Sequence, residues 1–159
     1  MHAMEMPSLD WAMDKDLFAS LPGGQAVMDW FGFCPDFHDA ALDRLEVSGG
    51  DAILAIRAFR MTGEVDAPGY FVLDRHALVT LHMRGVTGLK LEGDAGSVIA
   101  ELLIRRLPSL GAGSTWTSCA GPAAGDIEIA FDTSIGLHGA IYAKDMAFEL
   151  RPLPKTAAV

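Results

Sequence analysis

The stretch ALVTLHMRGVTGLKLE, residues 77–92, alternates apolar and polar side chains with a period of two. Val79, Leu81 and Met83 share one face, and Thr80, His82 and Arg84 the other. Beyond Gly85-Val86, Leu89 and Leu91 stand opposite Lys90 and Glu92. Such alternation marks a half-buried strand, because successive side chains on extended backbone point to opposite faces. Two strands are expected here, punctuated by Gly85-Val86 and closed by Gly93-Asp94.

The same period recurs on either side. Residues 41–48, ALDRLEVS, place Leu45 and Val47 against Arg44 and Glu46, and the turn signal Ser48-Gly49-Gly50-Asp51 leads into a returning strand over Ala52 to Arg60. Met61 to Gly69 reads as a polar loop holding Glu64, Asp66 and Pro68. Residues 98–107, VIAELLIRRL, fit a helix or a buried strand equally, since a short apolar run carries no decisive period. A Gly-, Pro- and Ser-rich stretch over 107–125 is expected to be a long loop, with room for a short strand at Thr115-Trp116-Thr117. Ile127, Ile129 and Phe131, and later Met146, Phe148 and Leu150, restore the alternation.

The count is six to eight strands joined mostly by short turns, which implies antiparallel pairing, because parallel neighbours need long crossovers. The expected fold is mainly β (α+β): a curled sheet or a two-sheet sandwich, with one or two short N-terminal helices. One helix is expected over Gly24 to Phe31, ended by Pro35, and a second amphipathic turn around Leu9 to Leu17. Residues 1–22 read as an arm, 23–151 as one globular domain and 152–159 as a proline-containing tail.

The chain has 159 residues, half of them apolar, enough for a core without disulfides or metal. Twelve Lys and Arg against 21 Asp and Glu give a net charge of −9, which repels phosphate backbones; no nucleic-acid partner is expected. The same charge suits a basic protein partner. Cys34 and Cys119 lack Cys-x-x-Cys spacing. No basic and apolar leader and no apolar run of membrane-spanning length is seen, so a soluble cytoplasmic protein without a membrane partner is expected.

Chemistry-bearing patterns are sparse. His38 and Asp39 could begin a metal site with His76 or His82 and Asp66, yet zinc-type sites need three or four convergent ligands and only this pair is adjacent in sequence. The local alternative is that Asp39 holds backbone N–H groups while His38 packs at the mouth of the sheet with its ring nitrogens bonded. His138 and Tyr142 share parity on the last strand and read as an exposed stripe. There is no nucleophile elbow and no phosphate loop. No catalytic residue, cofactor or resident metal is assigned; a metal- or ligand-binding protein or a hydrolase centred on His38 and Asp39 is the alternative, and a domain of unassigned biochemistry a further one.

The order Phe31-Gly32-Phe33-Cys34-Pro35-Asp36-Phe37-His38-Asp39-Ala40, a hairpin, Gly69-Tyr70-Phe71, Leu78-Val79-Thr80-Leu81 and Leu89-Lys90-Leu91-Glu92-Gly93 resembles the immunity protein 50 family over about residues 30–150. The sequence departs from that pattern at Ala41, where an acidic residue is expected, and in the Asp-Ala-Gly-Ser segment after Gly93. The resemblance implies a small bacterial, non-catalytic protein that binds and neutralises a polymorphic toxin. Set beside the charge, it makes His38, Asp39, Glu64, Asp66 and Tyr70 the candidate partner-binding residues.

Overall fold

The computed structural model describes residues 12–94, 96–108 and 121–154. Its elements are α1 (Lys15–Ser20), α2 (Gly24–Phe31), β1 (Ala41–Ser48), β2 (Asp51–Val65), β3 (Phe71–Glu92), β4 (Ser97–Arg106), β5 (Ile127–Ile135) and β6 (His138–Pro152). The fold is mainly antiparallel β with two short helices. Its sheet curls until it meets itself, closing a barrel in the order β1-β2-β3-β6-β5-β4. Closure joins the edge strands β1 and β4, which an open six-stranded sheet would leave unpaired, at Ala41 with Val98 and Leu42 with Ser97.

Inward residues follow the alternation: Leu54 and Ile56 on β2, Val79, Leu81 and Met83 on β3, Ile129 and Phe131 on β5 are buried in one cluster. At three places the period slips. On β3 the inward positions run Met83, Val86, and on β6 Ala143, Met146; the register pairs Val86 with Ala143 and Met83 with Met146, so the two irregularities face each other. Gly85 absorbs the slip at φ 63°, a conformation that strains residues with a Cβ. The residues expected to separate two strands therefore lie inside one continuous strand. On β4 the register shifts between Ile99 and Glu101, so the buried positions are Ile99, then Leu102 and Ile104. That three-residue step is why 98–107 resembles a helix in sequence; both edges of the segment are in fact taken up by sheet and loop backbone.

α1 and α2 belong to the same core. Leu17, Phe18, Leu21, Val27 and Phe31 are buried with the barrel interior, so residues 12–22, read above as part of an arm, are integral to the fold. Asp14 caps α1, its Oδ1 accepting the Leu17 N–H at 3.0 Å. Phe18 packs against Phe148 with ring centroids 4.3 Å apart, and the Phe148 N–H donates to the Pro22 carbonyl where β6 has run past β5. A Cβ on Gly23 would lie 2.2 Å from the Phe148 carbonyl oxygen, so the close approach requires glycine. The turn expected around Leu9 to Leu17 falls partly outside the described residues, as do Thr115-Trp116-Thr117, Cys119 and most of the expected 107–125 loop. No described helix is long and apolar enough to cross a membrane.

Candidate functional site

β2 and β3 continue together after their other neighbours have ended. β1 accompanies β2 only as far as Arg57, and β6 accompanies β3 only from Ala77 onward. The segments 59–65 and 71–76 thus form a two-stranded arm beyond the barrel, with Met61 opposite Leu73 and Val65 opposite Phe71. The polar loop expected over 61–69 is mostly strand: β2 runs through Glu64 to Val65, and only the turn from Asp66 to Tyr70 reverses the chain.

A free two-stranded ribbon is marginal in water, and this one is braced. Arg60 forks onto Asp74, Nε to Oδ1 at 2.8 Å and Nη2 to Oδ2 at 2.6 Å. This pairing, before the wider field of Arg60, Arg75 and His76, holds the Asp74 carboxyl below the usual carboxylate range. The Thr62 hydroxyl donates to the Val72 carbonyl at 2.8 Å. At the root, the Trp30 indole N–H donates to the Arg75 carbonyl at 2.9 Å while the Arg75 guanidinium lies 4.9 Å from the Trp30 ring centroid, tying the arm to α2. The turn is closed by Asp66, whose Oδ1 accepts the Tyr70 N–H and whose own N–H donates to the Tyr70 carbonyl, both at 2.8 Å.

Braced in this way, the arm leaves large apolar side chains in solvent. Phe71 is 57% exposed, Val65 58% and Tyr70 72%, with Met61 nearly half exposed. Alternation and register put Phe71, Leu73 and their partners Val65 and Met61 on one face. Exposed Phe33 extends that face toward the barrel, where Phe33, Pro35, Phe59 and Met61 line a small cleft of about 170 Å³ with His38 at its edge. Glu64 and Asp66 put negative charge at the tip.

The expected site residues separate into two groups. Glu64, Asp66 and Tyr70 come together at the arm's tip, with Asp66 also shaping the turn. His38 and Asp39 sit at the root, in the junction between α2 and β1. There the Asp39 N–H donates to the Ile99 carbonyl at 2.7 Å, Ile99 returns a bond to Ala40 at 2.8 Å, and the His38 N–H is capped by Asp36. His38 Nδ1 lies 2.6 Å from the Ala100 carbonyl, which raises the imidazole pKa; partial burial opposes the shift, and the charges of Asp39, Asp36 and Glu101 assist it. Phe37 and Asp39 both have positive φ, 60° and 63°. His82 is paired with Glu149 at 2.9 Å and does not approach His38's cleft lining. Among the described residues, no three His, Cys, Asp or Glu side chains group as metal ligands would. His138 and Tyr142 do share the outer face, but Tyr142 is buried, so they are not an exposed stripe.

Phe33, Met61, Val65 and Phe71 are not among the candidate residues read from the sequence: Phe33 and Phe71 stand there only within the runs that carry the resemblance, and Met61 and Val65 fall in a segment too polar to look like strand. No family model matches the chain, and no curated protein or solved structure matches it.

Proposed function

We propose that this chain is a non-catalytic, immunity-type protein that binds and neutralises a toxin in the cytoplasm, with the β2–β3 arm as its recognition element. The observation carrying this reading is the concentration of exposed Phe33, Met61, Val65, Tyr70 and Phe71 on and beside one braced projection. Exposed aromatic and Met side chains that cluster on a rigid support have the composition of a protein-binding hot spot. Glu64 and Asp66 at the tip and the overall charge of −9 favour a partner whose apolar pocket is rimmed by Lys and Arg. His38 and Asp39 support the root of this surface through the backbone of β4 and need not touch the partner themselves.

The test is co-expression with a basic toxin domain drawn from the genes that neighbour this chain's own. Wild-type protein restores growth and forms a purified complex of defined stoichiometry, while Tyr70→Ala with Phe71→Ala weakens that complex by about tenfold or more. Folded wild-type protein that neither protects the cells nor binds the purified toxin overturns the reading.

A further inference from the structure

The arm carries its apolar surface on one side only. Met61, Val65, Phe71 and Leu73 share that face, and Val65 and Phe71 are more than half exposed on it. Arg60 and Asp74, the next pair along the strands, alternate onto the opposite face and neutralise each other. The apolar face can therefore leave water without taking an unpaired charge with it.

This face has a projection at one end and a recess at the other. Phe71 stands beside the turn, and toward the barrel Phe33, Pro35, Phe59 and Met61 wall the cleft of about 170 Å³. An apolar cavity of about 150 Å³ holds a benzene ring, so the cleft has room for one phenyl side chain. Phe71 cannot fill the cleft of its own arm, because four strand steps, roughly 13 Å, separate it from the level of Phe59. In a two-fold pair each patch meets its own copy in exchange. Two arms laid face to face and antiparallel set each Phe71 over the other copy's cleft, with Leu73, midway along the face, near the axis. Charge follows the same direction. Glu64 and Asp66 make the tip acidic. At the root the exposed Arg75 guanidinium stacks on Trp30 and lends only a longer-range field to Asp74, while Asp36 and Asp39 are turned to His38, at its N–H and 3.5 Å from its Nε2. The overlay therefore brings each acidic tip to the other copy's Arg75. Phe33, Met61, Val65 and Phe71, each about half exposed, supply about 400 Å² of surface per copy; with the charged rim the pair buries about 1,000 Å², the low end for a specific interface and the size of a reversible dimer.

We propose that the arm pairs with a second copy of this chain, two arms lying antiparallel about a two-fold axis with each Phe71 ring in the other copy's cleft. The net charge of each copy opposes the approach, but beyond about 8 Å physiological salt screens it, and the contact itself is apolar. A toxin bound at the same face competes with the second copy, so it is taken up by the monomer. That competition rests on the toxin-binding reading, whereas the pairing does not.

The test is analytical ultracentrifugation of the full-length chain alone, joined to isotope-filtered NOE spectra of methionine-methyl-labelled chain mixed with unlabelled chain. A reversible monomer–dimer equilibrium is expected with a Kd of about 10–100 μM, and with contacts from the Met61 methyl of one copy to the Phe71 ring of the other. Phe71→Ala, which removes the projection, and Phe33→Ala, which opens the recess, each weaken the dimer about tenfold or more while melting as wild type does. A chain that stays monomeric up to about 0.5 mM, a dimer indifferent to Phe71→Ala, or intermolecular contacts that map away from the arm overturns the pairing. Because no toxin enters these measurements, a dimer that protects no cell counts only against the toxin-binding reading, and a protective chain that never pairs counts only against this one.

Discussion

Asp126 is a buried carboxylate at the start of β5 whose surroundings determine its protonation. Its oxygens accept from the Ala123 N–H at 2.9 Å, the Thr87 hydroxyl at 3.0 Å and Lys144 Nζ at 2.6 Å. Burial pushes its pKa up, but these donors outweigh burial and hold it below the ordinary value. A depressed carboxylate pKa contributes stability that is present above the unfolded value, near pH 4, and is lost as pH falls through the folded one. Asp126→Asn is therefore expected to melt lower at pH 7, by about 1–3 kcal/mol of stability, and to converge with wild type only as pH falls through the folded-state value, below that of a free carboxylate. Asp39 offers a second test at this scale. Its φ of 63° suits Asp or Gly and strains a β-branched residue. Asp39→Gly should leave the denaturation midpoint nearly unchanged, and Asp39→Val should cost about 1–2 kcal/mol. Equal effects of the two would return Asp39 to consideration as a site defined by its carboxylate.

At the scale of elements, the arm and the barrel strands obey different rules. Within the barrel β2, β3, β5 and β6 have a ladder on each side, whereas the arm depends on side chains: Arg60 on Asp74, Thr62 on Val72, and Trp30 and Arg75 at its root. Exposed ion pairs add little to global stability even when bidentate. Arg60→Met is therefore expected to leave the global melt within about 0.5 kcal/mol, while amide exchange at Thr62, Val72 and Leu73 accelerates through local opening of the ribbon. If those amides keep wild-type protection, the brace is not what orders the arm. Residues 61–65 are strand where the sequence predicts loop for the same reason: Thr62, Gly63 and Glu64 carry no strand period, and cross-strand side-chain bonds substitute for a buried face.

Across the whole molecule, closure is uneven. β3 and β6 pair without interruption from Ala77 and Pro152 to Val86 and Ala143, and resume to Glu92 and His138, but β1 meets β4 only at Ala41 with Val98 and Leu42 with Ser97. Loop backbone continues the seam: Asp39 bonds Ile99, Leu102 bonds Asp36 and Asp14 bonds Ile104. Hydrogen exchange is expected to open this seam first, with Ile99 and Leu102 less protected than Leu81 and Phe148; uniform protection would show that the barrel opens only as a unit. Alternation at Val79-Leu81-Met83 and Ile127-Ile129-Phe131, the turn at Ser48 to Asp51 and the Gly24 to Phe31 helix were legible in the sequence, because each rests on contacts local in the chain. What only tertiary structure decided was everything governed by a partner strand: closure of the curled sheet, the strand identity of 98–107 with its shifted register, the continuity of β3 through Gly85 and the burial of α1. Local period reports which face of a segment is apolar. The neighbours that meet that face are set by register between residues far apart in the chain, which no local pattern encodes.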